Sequence, residues 1–170
     1  NQTFAEVFPT IAAPAVIESG KWYQAAGEGR FSPVSKRDIA LCAVKCLLNP
    51  EWHDGAIYEI TGPDLIGYRE IAAIASESFG APIVYVPVSV EERFQQFDAM
   101  GVPRTFTADM PTHEFAQKWC SEEMVMQDVG FAKQFYAILS DHVEMITGKK
   151  PDSLKKVFEN CKGRPYDDCR

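Results

Sequence analysis

The sequence is short of positive charge: 17 Lys and Arg face 24 Asp and Glu over 170 residues, a net charge of −7. That balance argues against nucleic-acid binding, which needs a basic face. Long hydrophobic runs are also missing. The best candidate, Ile11 to Ile17, is short and broken by Pro14, so no bilayer-spanning segment is read. The opening residues lack a basic region followed by an apolar stretch, which argues against a secretory signal and favours the cytoplasm. Asn1-Gln2-Thr3 fits a glycosylation sequon, but three residues carry little weight and nothing else points to secretion. Cysteine is scarce: five residues at irregular spacing suit a reducing compartment better than a disulfide framework. The chain opens on Asn1 instead of Met, which reads as trimming, processing or a cut.

Several chemical signatures are absent too. His53, His113 and His142 are far apart and show no metal-ligand spacing such as HExxH. There is no Ser nucleophile elbow and no Tyr-x-x-x-Lys pair. Gly27-x-Gly29 is followed by Arg30 and an extended stretch, not by a helix, so it reads as a turn and not as a phosphate cradle.

What is present builds a core. Hydrophobic residues make up 46% of the chain, with 11 Phe, 6 Tyr and 3 Trp, enough to bury one domain. Pro9 and Pro14 break the apolar opening, with a short helix expected to end before Pro9. Strands are expected at Trp22 to Ala26, Ala56 to Thr61 and Pro82 to Val88, from their β-branched or alternating patterns. Helices are expected from Ser35 to Leu48, Gly67 to Phe79 and Val90 to Met100, the last with Phe94 and Phe97 inward. His113 to Thr147 is helical in pattern with a break near Val129-Gly130 and with Phe131 and Phe135 on one apolar face, and a last helix runs from about Ser153 to Asn160. Residues 161–170 read as a polar, flexible tail after a unit spanning 1–160. Ser35 with Asp38 three residues later resembles a capping box, and Gly67 with Glu70 repeats it, so a structural cap outweighs a catalytic reading for these acids. Cys42 and Cys46, one turn apart on an apolar face, read as buried small hydrophobes.

Six motifs occur in register: Gly27-x-Gly29-Arg30, Arg37-Asp38-Ile39-Ala40, Tyr58-x-x-Thr61-Gly62-Pro63, Glu70-Ile71-Ala72, Gly101-Val102-Pro103 and Thr147-Gly148-x-x-Pro151. In this order and spacing the chain resembles the C-terminal half of NmrA-like atypical short-chain dehydrogenases/reductases. That group includes NAD(P)H quinone, azo and triphenylmethane reductases and redox-sensing regulators. The opening Asn1 to Glu6 resembles the segment after the central Rossmann strands; that segment normally ends Glu-Asn, whereas Val7 follows Glu6 here.

The resemblance implies an α/β fold: the C-terminal part of a Rossmann-like NmrA fold, with the last sheet strands and a helical substrate-binding region, and without the N-terminal dinucleotide-binding half. It implies NAD(P)H as cofactor, held mainly by a second polypeptide or segment bearing the Gly-rich strand–loop–helix. It places Asn1, Phe4, Phe8 and Phe31 at a substrate pocket for a small carbonyl, quinone or conjugated aromatic compound. Core packing remains the alternative for each Phe. Two other functions stay open: a non-catalytic dinucleotide-sensing regulator, and a hydratase, lyase or isomerase on the same fold.

Overall fold

The computed structural model describes residues 3–110, 120–165 and 168–169. Two parallel strands, β1 (Lys21–Gln24) and β2 (Val84–Pro87), form the sheet, in register from Lys21 opposite Val84 to Gln24 opposite Pro87. Parallel neighbours need a long crossover. Here it is made by α1 (Lys36–Leu48), α2 (Pro50–His53) and α3 (Tyr68–Phe79). After β2 come α4 (Val90–Ala99), α5 (Ser121–Ala132), α6 (His142–Thr147) and α7 (Leu154–Cys161). Helix α3 packs on β2 and α7, α4 on α5, and α1 on α6.

Local chemistry sets the helix ends. Ser35 accepts the Asp38 N–H at 3.0 Å and opens α1. The Asp38 carboxylate takes the Ser35 hydroxyl at 2.7 Å and the Asp152 N–H at 2.8 Å, tying α1 to the loop before α7. Helix α3 starts at Gly67, whose N–H is taken by Glu70 at 3.2 Å, and stops at Gly80. Ser89 with Glu92 closes a full capping box on α4, and Ser153 caps α7.

Several expectations need correction. The stretch from Ala56 to Thr61 is not a strand: it has no ladder partner among the described residues, and Ile57 is 89% exposed. Among the described residues the sheet therefore has two strands where three were expected. Pro9 starts a helical turn instead of ending one: a π-type turn spans Phe8–Ala12, because a missing N–H costs nothing in a helix's first turn. The helical break falls at 133–140, past Gly130, whose Cα is packed against the Tyr136 ring inside α5. That break carries Phe135 off the α5 face into solvent while Phe131 stays buried. Phe94 is only half-buried, roofed by the Arg104 guanidinium 4.3 Å from its ring. Cys42 is buried, but Cys46 is only partly so. Cys161 and Cys169 are disulfide-bonded, against the expectation of free thiols, and Cys169 is buried in the core instead of lying in a free tail. The expected start of a helix at His113 lies outside the described residues, as does Asn1.

Two outcomes follow. Thiol labelling of denatured, unreduced protein should modify three cysteines, Cys42, Cys46 and Cys120; five labels would show that the Cys161–Cys169 bond does not form. Removing the buried acceptor in Asp38→Ala should cost about 2–3 kcal/mol, against about 1 kcal/mol for Ser35→Ala. Equal losses in denaturant titrations would mean that the link to Asp152 contributes nothing.

Candidate functional site

The opening segment lies against the start of α1. Phe4 bridges Val34, with the Ala5 N–H donating to the Val34 carbonyl at 2.9 Å and the Val34 N–H to Thr3 at 3.0 Å. This turns Glu6 inward, where one carboxylate oxygen takes the Lys36 N–H at 2.9 Å. The other, Oε2, is buried with no hydrogen-bond partner among the described residues. Burial pushes the Glu6 carboxyl up, against the hydrogen bonds from its own backbone and that of Lys36.

Behind this segment sits an aromatic cluster. Phe8 lies 6.3 Å from Trp22, 6.0 Å from Phe31 and 6.4 Å from Tyr68. Phe31 stacks on Phe131 at 4.0 Å, and Tyr68 stacks on Tyr85 at 5.7 Å. The structure therefore brings Phe8 and Phe31 together inside the core, with both rings buried, while Phe4 stays at the surface, 39% exposed. Neither of two cavities found among the described residues, one beside Ile74 and Leu154 and one beside Arg30 and Arg69, is lined by any of the three.

A polar cavity of about 270 Å³ lies elsewhere, lined by Gly27, Glu28, Arg30, Gly67, Tyr68, Arg69 and Glu70. Both of its arginines are already paired: Arg69 grips Glu28 at 2.7 Å and Arg30 meets Glu70 at 2.9 Å. Arg30 also donates to the Leu65 carbonyl at 2.6 Å. Gly29 is held where a side chain would overlap the Phe131 carbonyl, and Gly62 where one would overlap that of Pro33. These motif glycines serve close backbone approach. Gly27-x-Gly29 leads into Arg30 and Phe31 and not into a helix, and no uncompensated cation stands beside it. This turn thus does not fit the phosphates of a dinucleotide.

Ser35, Asp38, Gly67 and Glu70 all occupy helix starts. Two constellations were not anticipated. His53 Nδ1 lies 2.8 Å from the Tyr58 hydroxyl, and the Tyr58 ring meets His142 edge-on at 5.5 Å, so two histidines 89 positions apart in sequence converge on one tyrosine. Asp128, on α5, is buried; it accepts the Ala25 N–H at 2.9 Å and lies 3.9 Å from Arg93 Nε. Its signal in the sequence was its place between Val125 and Phe131 at three-residue spacing, on the stripe that α5 buries. Burial pushes the Asp128 carboxyl up to about 6, opposed by the Ala25 N–H and by Arg93. Burial, and then the Asp128 charge, raise the Tyr68 hydroxyl well above its ordinary value.

The fold is α/β, and comparisons with known proteins find it again. No protein-family model matches the chain. It is 37% identical over 98 residues to an NAD(P)H azoreductase of Xenophilus azovorans, covering 58% of this chain and 34% of that one. It is 30% identical over 138 residues to festuclavine synthase I of Penicillium roqueforti, covering 80% and 42%. Among solved structures, the Citrobacter sp. triphenylmethane reductase complexed with NADP(H) superposes with a TM-score of 0.76 at 25% identity, over 95% of this chain and 51% of that one. The Escherichia coli quinone oxidoreductase complexed with NADPH shares the fold, with a TM-score of 0.74 at 19% identity, over 94% and 50%. Over the matched lengths, the chain is similar to NmrA-like NAD(P)H reductases. It spans about a third to a half of the length of the curated relatives it matches.

The buried acid on α5 generates a pH signature. Its folded value of about 6 lies above the ordinary 3.8, so between these values the folded state holds a proton that the unfolded chain has released. Stability from this group is present below that window, falls as pH rises through it, and is flat above. Denaturant titrations should show that decline, and Asp128→Asn should remove it. The same slope in both proteins would place its origin elsewhere.

Proposed function

We propose that the chain is the acceptor-side portion of an NAD(P)H-dependent reductase acting on a small carbonyl, quinone or conjugated aromatic compound. One observation carries this reading: nearly the whole chain superposes on about half of a reductase solved with NADP(H), while its Gly27-x-Gly29 turn leads into extended chain and not into a helix. The cofactor, which supplies the hydride, is then held mainly by a Gly-rich strand–loop–helix carried on another segment or a second polypeptide. This chain contributes the wall against which the acceptor lies and the exclusion of water from it. Phe4, the exposed ring of the opening segment, is the residue to meet a flat acceptor; Phe8 and Phe31 back it from the core.

The test compares the chain alone with the chain co-expressed with a strand–loop–helix half. Calorimetry should find no NAD(P)H binding to the chain alone, and the assembly should oxidise NAD(P)H with a quinone or azo acceptor. A monomeric, cooperatively folding chain that binds dinucleotide at about micromolar Kd by itself overturns the division of labour. In the active assembly, Phe4→Ala should raise the acceptor KM with Tm unchanged, whereas Phe8→Ala should cost about 3–5 kcal/mol of stability. A KM unaffected by Phe4→Ala would remove that ring from the acceptor site.

A further inference from the structure

The polar cavity beside the 27–30 turn lies apart from the Phe4 surface. Arg30 is exposed where Phe31, next along an extended stretch, is buried, so the two side chains point to opposite sides and the cavity is across the chain from the Phe31 ring. Its walls are held from behind. The Tyr85 hydroxyl donates to the Gly27 carbonyl at 2.8 Å, and Glu70 takes the Gly67 N–H at 3.2 Å. Arg69 reaches both carboxylate oxygens of Glu28, at 2.7 and 3.1 Å, and holds that carboxyl below the usual carboxylate range. A site fixed before its ligand arrives loses less freedom on binding.

The charges decide what such a cavity can take. Two guanidiniums and two carboxylates sum to zero, each against its opposite. An ionic ligand would have to compete with a partner already in place. Hydrogen-bonding capacity remains all the same. Nη1 of Arg30 and Nη1 of Arg69 have no partner among the described residues, and a carboxylate oxygen accepts more than one bond. A hydroxyl both accepts and donates, so it can receive an Nη1–H and give its own proton to a carboxylate with both ion pairs intact. Hydroxyls on adjacent carbons repeat that match. Size points the same way: drug-sized ligands fill pockets of about 300–1,000 Å³, and this cavity measures about 270 Å³. Tyr68 adds the one aromatic residue of the lining, against which a carbon skeleton can lie.

We propose that this cavity is a binding site for a small uncharged polyhydroxylated compound of monosaccharide size, held by the Glu28–Arg69 and Arg30–Glu70 pairs. The inference is independent of the reductase reading, because the cavity shares no residue with the Phe4 surface. A phosphorylated sugar is the competing ligand: it carries similar hydroxyls, but its charge meets no free cation here.

The experiment titrates the protein with D-glucose, D-ribose and myo-inositol, and separately with glucose 6-phosphate. Backbone amides are followed by NMR at low ionic strength, where exposed charges are least screened. Saturating shifts confined to Gly27, Arg30, Gly67 and Arg69 are expected with at least one neutral compound, at about millimolar Kd. Glucose 6-phosphate should bind about tenfold more weakly than that compound. Glu28→Gln keeps the shape of an exposed side chain but leaves the Arg69 charge uncompensated, so the order should reverse by about tenfold in favour of the phosphorylated sugar. Arg69→Gln has the opposite effect on charge and should abolish glucose 6-phosphate binding, which keeps the test open if Glu28→Gln fails to fold. Absence of saturating shifts with all three neutral compounds overturns the proposal, as do shifts spread evenly over the surface. Glucose 6-phosphate binding to the parent protein as tightly as the neutral compounds overturns it too.

Discussion

The start of α1 is the knot on which the rest of the structure depends. A helix leaves its first N–H groups without internal partners, and here they are met from both ends of the chain's contact map. Ser35 takes the Asp38 N–H locally, and Glu6, thirty positions upstream of Lys36, takes that residue's N–H. Asp38 then reaches over to the Asp152 N–H, 114 positions away. Three distant stretches are thereby fixed at one point: the opening segment, α1 and the entry to α7. Helix α7 packs in turn on α3 and on the Phe8–Ala12 turn, so the clamp also seats the aromatic cluster. The partial positive charge of the helix start helps two acids remain in a buried place.

What the sequence made legible was local. Ser35 and Asp38 could be read as a cap because capping spans three residues and needs nothing else. Helices α3, α4 and α7 and the two strands were readable from period and from their stop residues. The bond from Asp38 to Asp152 was not, because no local pattern encodes a partner so far away. Asp128 was hidden for a related reason: an acid in a helix reads as a solvent-facing residue, and only its registration with Val125 and Phe131 hinted at burial. Phe135 was misassigned because helical spacing was carried past the turn at Gln134, whose φ of 62° ends the helix. Of the candidate site, the motif glycines were legible as turn residues, whereas the convergence of His53, Tyr58 and His142 was not.

The contradiction at Ala56 to Thr61 is of another kind. Its alternation was read as that of a half-buried strand, but the described residues give it hydrogen bonds to Ser140 and His142 and a contact from His53, and no ladder partner. Pattern reports what a segment needs, and structure reports what it has found. The two disagree where Ile57, Trp52 and the outer face of α1 stand in water together. Exposed apolar surface of this kind costs solvation free energy in proportion to its area.

In the reductase reading, packing limits where chemistry can take place. Phe31 on Phe131 and Tyr68 on Tyr85 leave the interior filled with rings, so the core behind the opening segment is a wall and not a pocket. The polar cavity offers no free cation, since Glu28 and Glu70 neutralise its arginines. An acceptor would therefore meet the surface that the opening segment presents: the Phe4 ring, held at a fixed height by its bridge to Val34, with Glu6 locked behind it. A wall that cannot deform under a single presented ring selects by shape and flatness rather than by hydrogen-bond pattern. That is the selectivity suited to quinones and conjugated aromatic compounds, whose polar groups differ while their planarity is shared.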